Sequence, residues 1–187
     1  MARTPSNMLP LGTRAPEFRL PDTVSGTELG LEDIRGDRGT VVMFICNHCP
    51  FVKHVNAEIV RLALAYQPRG VGFVAISSND VEHYPQDHPD LMQATAKEEG
   101  YPFPYLYDAS QETARDYDAA CTPDFYLFDQ NLELVYRGQL DGSRPGNGIP
   151  VTGEDLEAAL GALLEGRPVS ADQKPSIGCN IKWKTTP

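Results

Sequence analysis

The 187-residue chain is short of positive charge: 16 Lys and Arg stand against 26 Asp and Glu, a formal net charge of -10. That balance leaves no basic surface for a polyanion, so nucleic acid is excluded as a partner class. The chain also has no run of about 18 consecutive apolar residues, and Met1 to Thr13 holds Arg3 but no apolar stretch of leader length. A soluble, cytoplasmic protein with no membrane partner is the expectation. Internal repeats and low-complexity tracts are lacking too. With four cysteines, the sequence falls far below the density of a disulfide scaffold. In a reducing compartment, sparse cysteines are more often catalytic, redox-sensing or metal-binding. Cysteine is therefore where function is sought.

What is present is one domain's worth of apolar sequence, 41% of the residues, enough for a single core spanning 1–187 with a C-terminal arm from 169. Phe18 and Leu20 alternate with polar residues in the proline-flanked segment 12–22 and open an N-terminal hairpin. The run 40–45 (TVVMFI) is continuously apolar and β-branched, as in a strand buried on both faces. Val52, Val55, Ile59, Leu62, Ala63 and Tyr66 then recur at helical spacing, and 71–77 (VGFVAIS) is a second buried strand. Strand, helix, strand implies a parallel crossover. Helices are expected over 89–99, stopped by Gly100, and over 111–119, with a short strand within 103–107 between them. The segments 125–128 and 132–136 flank Asp129-Gln130-Asn131 as an antiparallel hairpin. A closing helix over 153–164 takes Thr152 as N-cap. Parallel strands first and a hairpin late give an α/β fold with a central mixed sheet flanked by helices.

The chemistry concentrates at Ile45-Cys46-Asn47-His48-Cys49-Pro50. A C-x-x-C after a buried strand places a sulfur at a helix N-terminus, where unpaired N–H groups and the helix dipole stabilise a thiolate. Proline favours the first helical position, so Pro50 makes Cys49 the N-cap and the nucleophile, on an exposed helix start. The position three residues into the helix is Val52, so the resolving thiol must come from elsewhere. Cys46, in the loop, and Cys121, before the candidate cis bond Thr122-Pro123, rank above Cys179 as resolvers. In the arm, Cys179, Ile181 and Trp183 alternate with polar residues and should all face the protein body. Cys46, Cys49 and a histidine, His48 or His54, also offer soft and imidazole donors for copper or zinc, a metallochaperone-like alternative.

Three ordered motifs, C-N-H-C-P-F-V-K at 46–53, C-T-P-D at 121–124 and I-G-C-N-I-K-W at 177–183, resemble those of the thioredoxin/peroxiredoxin superfamily, and more narrowly of bacterial AhpC/TSA-type redoxins. The resemblance spans nearly the whole chain. It implies a thioredoxin-like fold and a thiol-disulfide oxidoreductase or peroxiredoxin-like antioxidant activity without a cofactor. Cys49 would be the nucleophile, with Cys46 and Cys121 as catalytic partners and Cys179 a further candidate resolver. Pro50, Thr122 and Pro123 would line the substrate site, Thr122-Pro123 taking the place of the cis-proline loop that packs on the active sulfur. Cys46 stands where peroxiredoxins carry a threonine, and Pro123 where they carry an arginine. The implied partners are protein or small-molecule disulfides, peroxides as a further oxidant, and a thiol reductant such as a thioredoxin system.

Overall fold

The computed structural model describes residues 3–185. Its centre is a five-stranded sheet in the order β6-β5-β4-β8-β9, built from β4 (Gly39–Phe44), β5 (Val71–Ser77), β6 (Tyr105–Tyr107), β8 (Asp124–Asp129) and β9 (Leu134–Gly138). β4, β5 and β6 run parallel, while β8 and β9 are antiparallel additions. All six residues of β4 are buried, so its apolar run serves both faces. Val41 and Met43 join one core cluster, Val42 and Phe44 the other.

On the first face lie α2 (Pro50–Tyr66), α3 (Pro89–Glu99) and α5 (Glu154–Leu164). The periodicity of α2 is met in full: Val52, Val55, Ile59, Leu62, Ala63 and Tyr66 are all buried. On the second face, Phe18, Leu31, Leu106 and Tyr117 pack around Phe44 and Tyr126. These come from the N-terminal hairpin of β2 (Arg19–Pro21) and β3 (Glu28–Gly30), the single turn α1 (Leu31–Ile34), β6 and the turn after α4 (Glu112–Asp116). α3 ends at Gly100 as the sequence predicts, with φ of 69° there. Among the described residues no helix is long and apolar enough to cross a membrane.

Three local expectations are corrected. The closing helix is not capped by Thr152: its N-cap is Gly153, in the left-handed region at φ 67°, with no side-chain cap of its own. The Leu140 carbonyl does that work, accepting from the N–H groups of Asp155 and Leu156 at 3.2 Å each, while the buried Asp141 carboxylate holds the lead-in loop, accepting from the N–H groups of Thr152 and Gly153 at 2.7 Å each and of Ser143 at 2.8 Å. Asp141→Ala strands the N–H groups of Ser143 and Gly153, both buried, and of Thr152, and should cost about 2–4 kcal/mol, read as a fall in thermal midpoint by scanning calorimetry. The helix expected over 111–119 closes early at Asp116, and the returning hairpin strand starts at Leu134. There the Asp129 carboxylate accepts from Asn131 and Glu133 N–H, and Leu132 takes a left-handed turn at φ 62°.

The arm is not loose. Its strand β10 (Ile177–Asn180) lies between β1 (Arg3–Pro5) and β7 (Cys121–Thr122) in a separate three-stranded antiparallel sheet. Beyond it, Lys182 N–H donates to Asn79 Oδ1 and Lys184 N–H to Gln111 Oε1, both at 2.8 Å. Cys179 and Ile181 are buried as the alternation requires, but Trp183 is 39% exposed. The Arg115 guanidinium stacks 5.1 Å above its ring, so the tail's last apolar residue is covered by a cation rather than by the core.

Candidate active site

β4 delivers the chain directly into the cysteine loop. Cys49 is the N-cap of α2, at φ -70° and ψ 121°, with Pro50 at the first helical position, as the proline argument requires. Pro50 itself is exposed. Across from this helix start, the peptide bond between Thr122 and Pro123 is cis. The Cys49 sulfur lies 3.2 Å from the Thr122 carbonyl oxygen and 3.0 Å from the sulfur of Cys179. Register explains the second contact: on β10, Cys179 is paired with Thr122 of β7. The strand approaches so closely that a Cβ on Gly178 would sit 1.9 Å from the Thr122 carbonyl oxygen.

The other cysteines take distinct places. Cys46 Sγ is 3.5 Å from Thr122 Oγ1 and 4.0 Å from His48 Nδ1. Cys121 Sγ lies 3.8 Å from the Pro123 carbonyl oxygen, on the far side of the cis bond. The expected exposure of Cys49 is overturned, because β10 closes over the helix start and leaves Cys49 at 0% and Cys179 at 1% exposed. Thr122 and Pro123 are buried under the same strand.

The electrostatics separate the thiols. A hydrogen bond from Cys46 lowers Cys49 to about 5 against the opposing pull of burial, with further help from Cys179 and from the Val52 N–H in the first helical turn. The same hydrogen bond, burial and the nearby Asp87 charge push Cys46 well above the ordinary thiol value. Burial, and then donation to Cys49, pushes Cys179 up to about 12. Burial and Asp124 likewise push Cys121 upward. One sulfur is thus held as a thiolate among three held as thiols.

Sequence reasoning missed the carboxylates beneath this site. Asp87 is fully buried. It accepts from the N–H groups of Asn47 at 2.9 Å and His48 at 3.3 Å, from Asn79 Nδ2 at 2.8 Å, and pairs with His48 Nδ1 at 2.6 Å. Although burial opposes it, the His48, Asn79 and Asn47 hydrogen bonds hold Asp87 below the usual carboxylate range. Asp124, lifted to about 7 by burial, accepts from Ser6 Oγ at 2.8 Å and Tyr126 OH at 3.1 Å. The Ser6 hydroxyl in turn accepts from Ser176 N–H at 2.8 Å, tying the arm to β8. Asp124 closes the C-T-P-D motif without being given a role there, and nothing marked Asp87 out from the other acidic residues of a chain with 26 Asp and Glu.

The donors expected for a metal converge in part. Cys46 and His48 come together, with Asp87 as their third member, while Cys49 turns toward Cys179 and His54 instead pairs through Nε2 with Ser143 Oγ at 2.7 Å.

Comparison with known proteins agrees with the geometry. An uncharacterized conserved protein from Geobacillus kaustophilus is 64% identical, with a TM-score of 0.98 over 100% of this chain and 99% of its own. A hypothetical protein from Sinorhizobium meliloti 1021 is 48% identical, with a TM-score of 0.95 over 98% of this chain and 100% of its own. A putative thiol:disulfide interchange protein, DsbE, from Chlorobium tepidum shares the fold at 22% identity and a TM-score of 0.65, over 83% of this chain and 99% of its own. No curated protein matches. The AhpC/TSA family profile matches residues 11–137, two thirds of a chain whose mixed sheet and cysteine-capped helix are those of the thioredoxin-like fold, and the protein belongs to the AhpC/TSA family.

Proposed function

We propose that the protein is a thiol-disulfide oxidoreductase in which Cys49 is the nucleophile and Cys179, rather than the Cys46 or Cys121 favoured by sequence, resolves. The observation that carries this reading is the 3.0 Å approach of the two sulfurs at the start of α2. They need close by only about 1 Å to reach a disulfide bond length. The Cys49 thiolate attacks one sulfur of a substrate disulfide and expels the other as a thiolate. Cys179, losing its proton to solvent, then attacks Cys49, releases the second substrate thiol and leaves a Cys49–Cys179 disulfide. A dithiol reductant of thioredoxin type, in a reducing cytoplasm, returns both to thiols. Because Cys49 is buried, the substrate reaches it when β10 lifts away from β7, which also bares Thr122 and Pro123 for substrate contact.

Family membership supports hydroperoxide as a second oxidant. Attack of Cys49 on the distal peroxide oxygen gives a sulfenate and an alcohol or water, and Cys179 condenses with the sulfenate to the same disulfide and water.

The pH dependence follows from the lowered thiol. Cys49 is a thiol below about 5 and a thiolate above it, so its reactivity should rise through that pH and level off well before neutrality. An ordinary cysteine would still be gaining near about 8.5. Stopped-flow reduction of a small aromatic disulfide across pH 4–9, followed by acid quench and mapping of the protein disulfide, reads both the profile and the pair. A midpoint near 8.5, or a mapped pair without Cys49, would reject the mechanism.

A further inference from the structure

The His48–Asp87 hydrogen bond needs no ion, and by itself it would only brace the cysteine loop. The third donor changes the chemistry. The ligand atoms of Cys46, His48 and Asp87 all lie within 4.8 Å of one another. Cys46 Sγ is 4.0 Å and an Asp87 oxygen 2.6 Å from His48 Nδ1. In a tetrahedral zinc site, metal–ligand bonds of about 2.0–2.3 Å set the ligands roughly 3.3–3.6 Å apart. The His48–Asp87 edge must lengthen by about 0.7–1.0 Å, the Cys46–His48 edge shorten by about 0.4–0.7 Å, and the Cys46–Asp87 edge, at most 4.8 Å, shorten by up to about 1.5 Å, shifts that rotation of the three side chains would have to supply. We propose that Cys46, His48 and Asp87 form a binding site for a divalent zinc ion, separate from the Cys49–Cys179 pair.

Charge and support favour that occupant. A dication held by one thiolate, one carboxylate and a neutral imidazole leaves no net charge to bury. Binding expels the Cys46 thiol proton to solvent and moves the proton off the ligating nitrogen of His48. A donor set of one sulfur, one imidazole nitrogen and one oxygen suits zinc, whereas magnesium or calcium would take oxygen alone. The carboxylate already has outer partners that would hold it in place on a metal, the N–H groups of Asn47 and His48 and the amide of Asn79. Of the three donors His48 is the one that reaches solvent: a groove of about 460 Å³ lined by Asn47, His48, Lys53, Asn56 and Gln86 among others runs past its ring, while Cys46 and Asp87 are buried.

The test is titration of the fully reduced protein with zinc against a chromophoric chelator, and with cobalt to read thiolate coordination from its charge-transfer absorption. One equivalent should bind with a single thiolate ligand. Cys46→Ser should remove the charge-transfer band, and His48→Ala and Asp87→Asn should each weaken zinc at least about tenfold. Cys49→Ser and Cys179→Ser should bind as the parent does. His48, nearer the surface, guards against misfolding of the Asp87 variant, and circular dichroism checks both. Failure of the reduced protein to compete with the chelator, or binding lost in Cys49→Ser but kept in Cys46→Ser, would overturn the site. Neither result bears on disulfide turnover, which is measured separately.

Discussion

Cys49→Ser is expected to abolish disulfide turnover, by about a thousandfold or more, because no other sulfur is in thiolate form near neutral pH to take over the attack. Cys179→Ser should fail differently. The first attack still occurs, since α2 and Cys46 still stabilise the Cys49 thiolate, but the mixed disulfide has no partner at 3.0 Å to resolve it. Intact-mass spectrometry after one equivalent of substrate disulfide should therefore show one substrate half held on Cys49 in the Cys179 variant and nothing in the Cys49 variant. If Cys179→Ser turns over at the parent rate with no adduct, the resolver is another thiol. Cys46 is the first to examine, because it already hydrogen-bonds to Cys49.

Gly178→Ala tests the strand that closes the site. Its new methyl group would meet the Thr122 carbonyl oxygen at 1.9 Å and the Pro123 nitrogen at 3.2 Å. Both are backbone atoms, so no side-chain rotation relieves the clash and β10 must move off β7. Overpacking of this kind costs about 1–3 kcal/mol, or roughly 3–10 °C in thermal midpoint for a chain of this size. The functional signature matters more. Displacing β10 should expose Cys49 to iodoacetamide and speed its alkylation at neutral pH, while slowing closure of the Cys49–Cys179 disulfide. A melting temperature and alkylation rate equal to the parent's would show that the arm does not seal the site.

Much of this architecture was legible along the chain because it rests on short-range rules. The buried run of β4, the periodicity of α2 and the stop at Gly100 each reflect hydrophobic patterning or a backbone preference confined to a few neighbours. So does the choice of Cys49 over Cys46 as the helix cap: proline's missing N–H and fixed φ are local facts, and they hold in the structure. Where a distant group intervenes, the local rule fails. Thr152 looked like the cap of α5, but the Leu140 carbonyl takes the first-turn N–H groups of Asp155 and Leu156, and Asp141 takes those of Thr152 and Gly153.

The candidate site divides along that line. By itself the sequence determined that Cys49 caps the helix and marked Thr122-Pro123 as a candidate cis bond, since each follows from residue types next to one another. Only the tertiary structure decided that Cys179, 130 residues from Cys49, meets it. That contact depends on β10 pairing with β7 in one register, and pairing between strands so far apart leaves no trace in spacing. The fold likewise decided that Asp87, 39 residues from His48, is buried beneath the cysteine loop. Its charge is tolerated there only because Asn47, His48 and Asn79 converge on it, and such convergence belongs to three dimensions rather than to the order of residues.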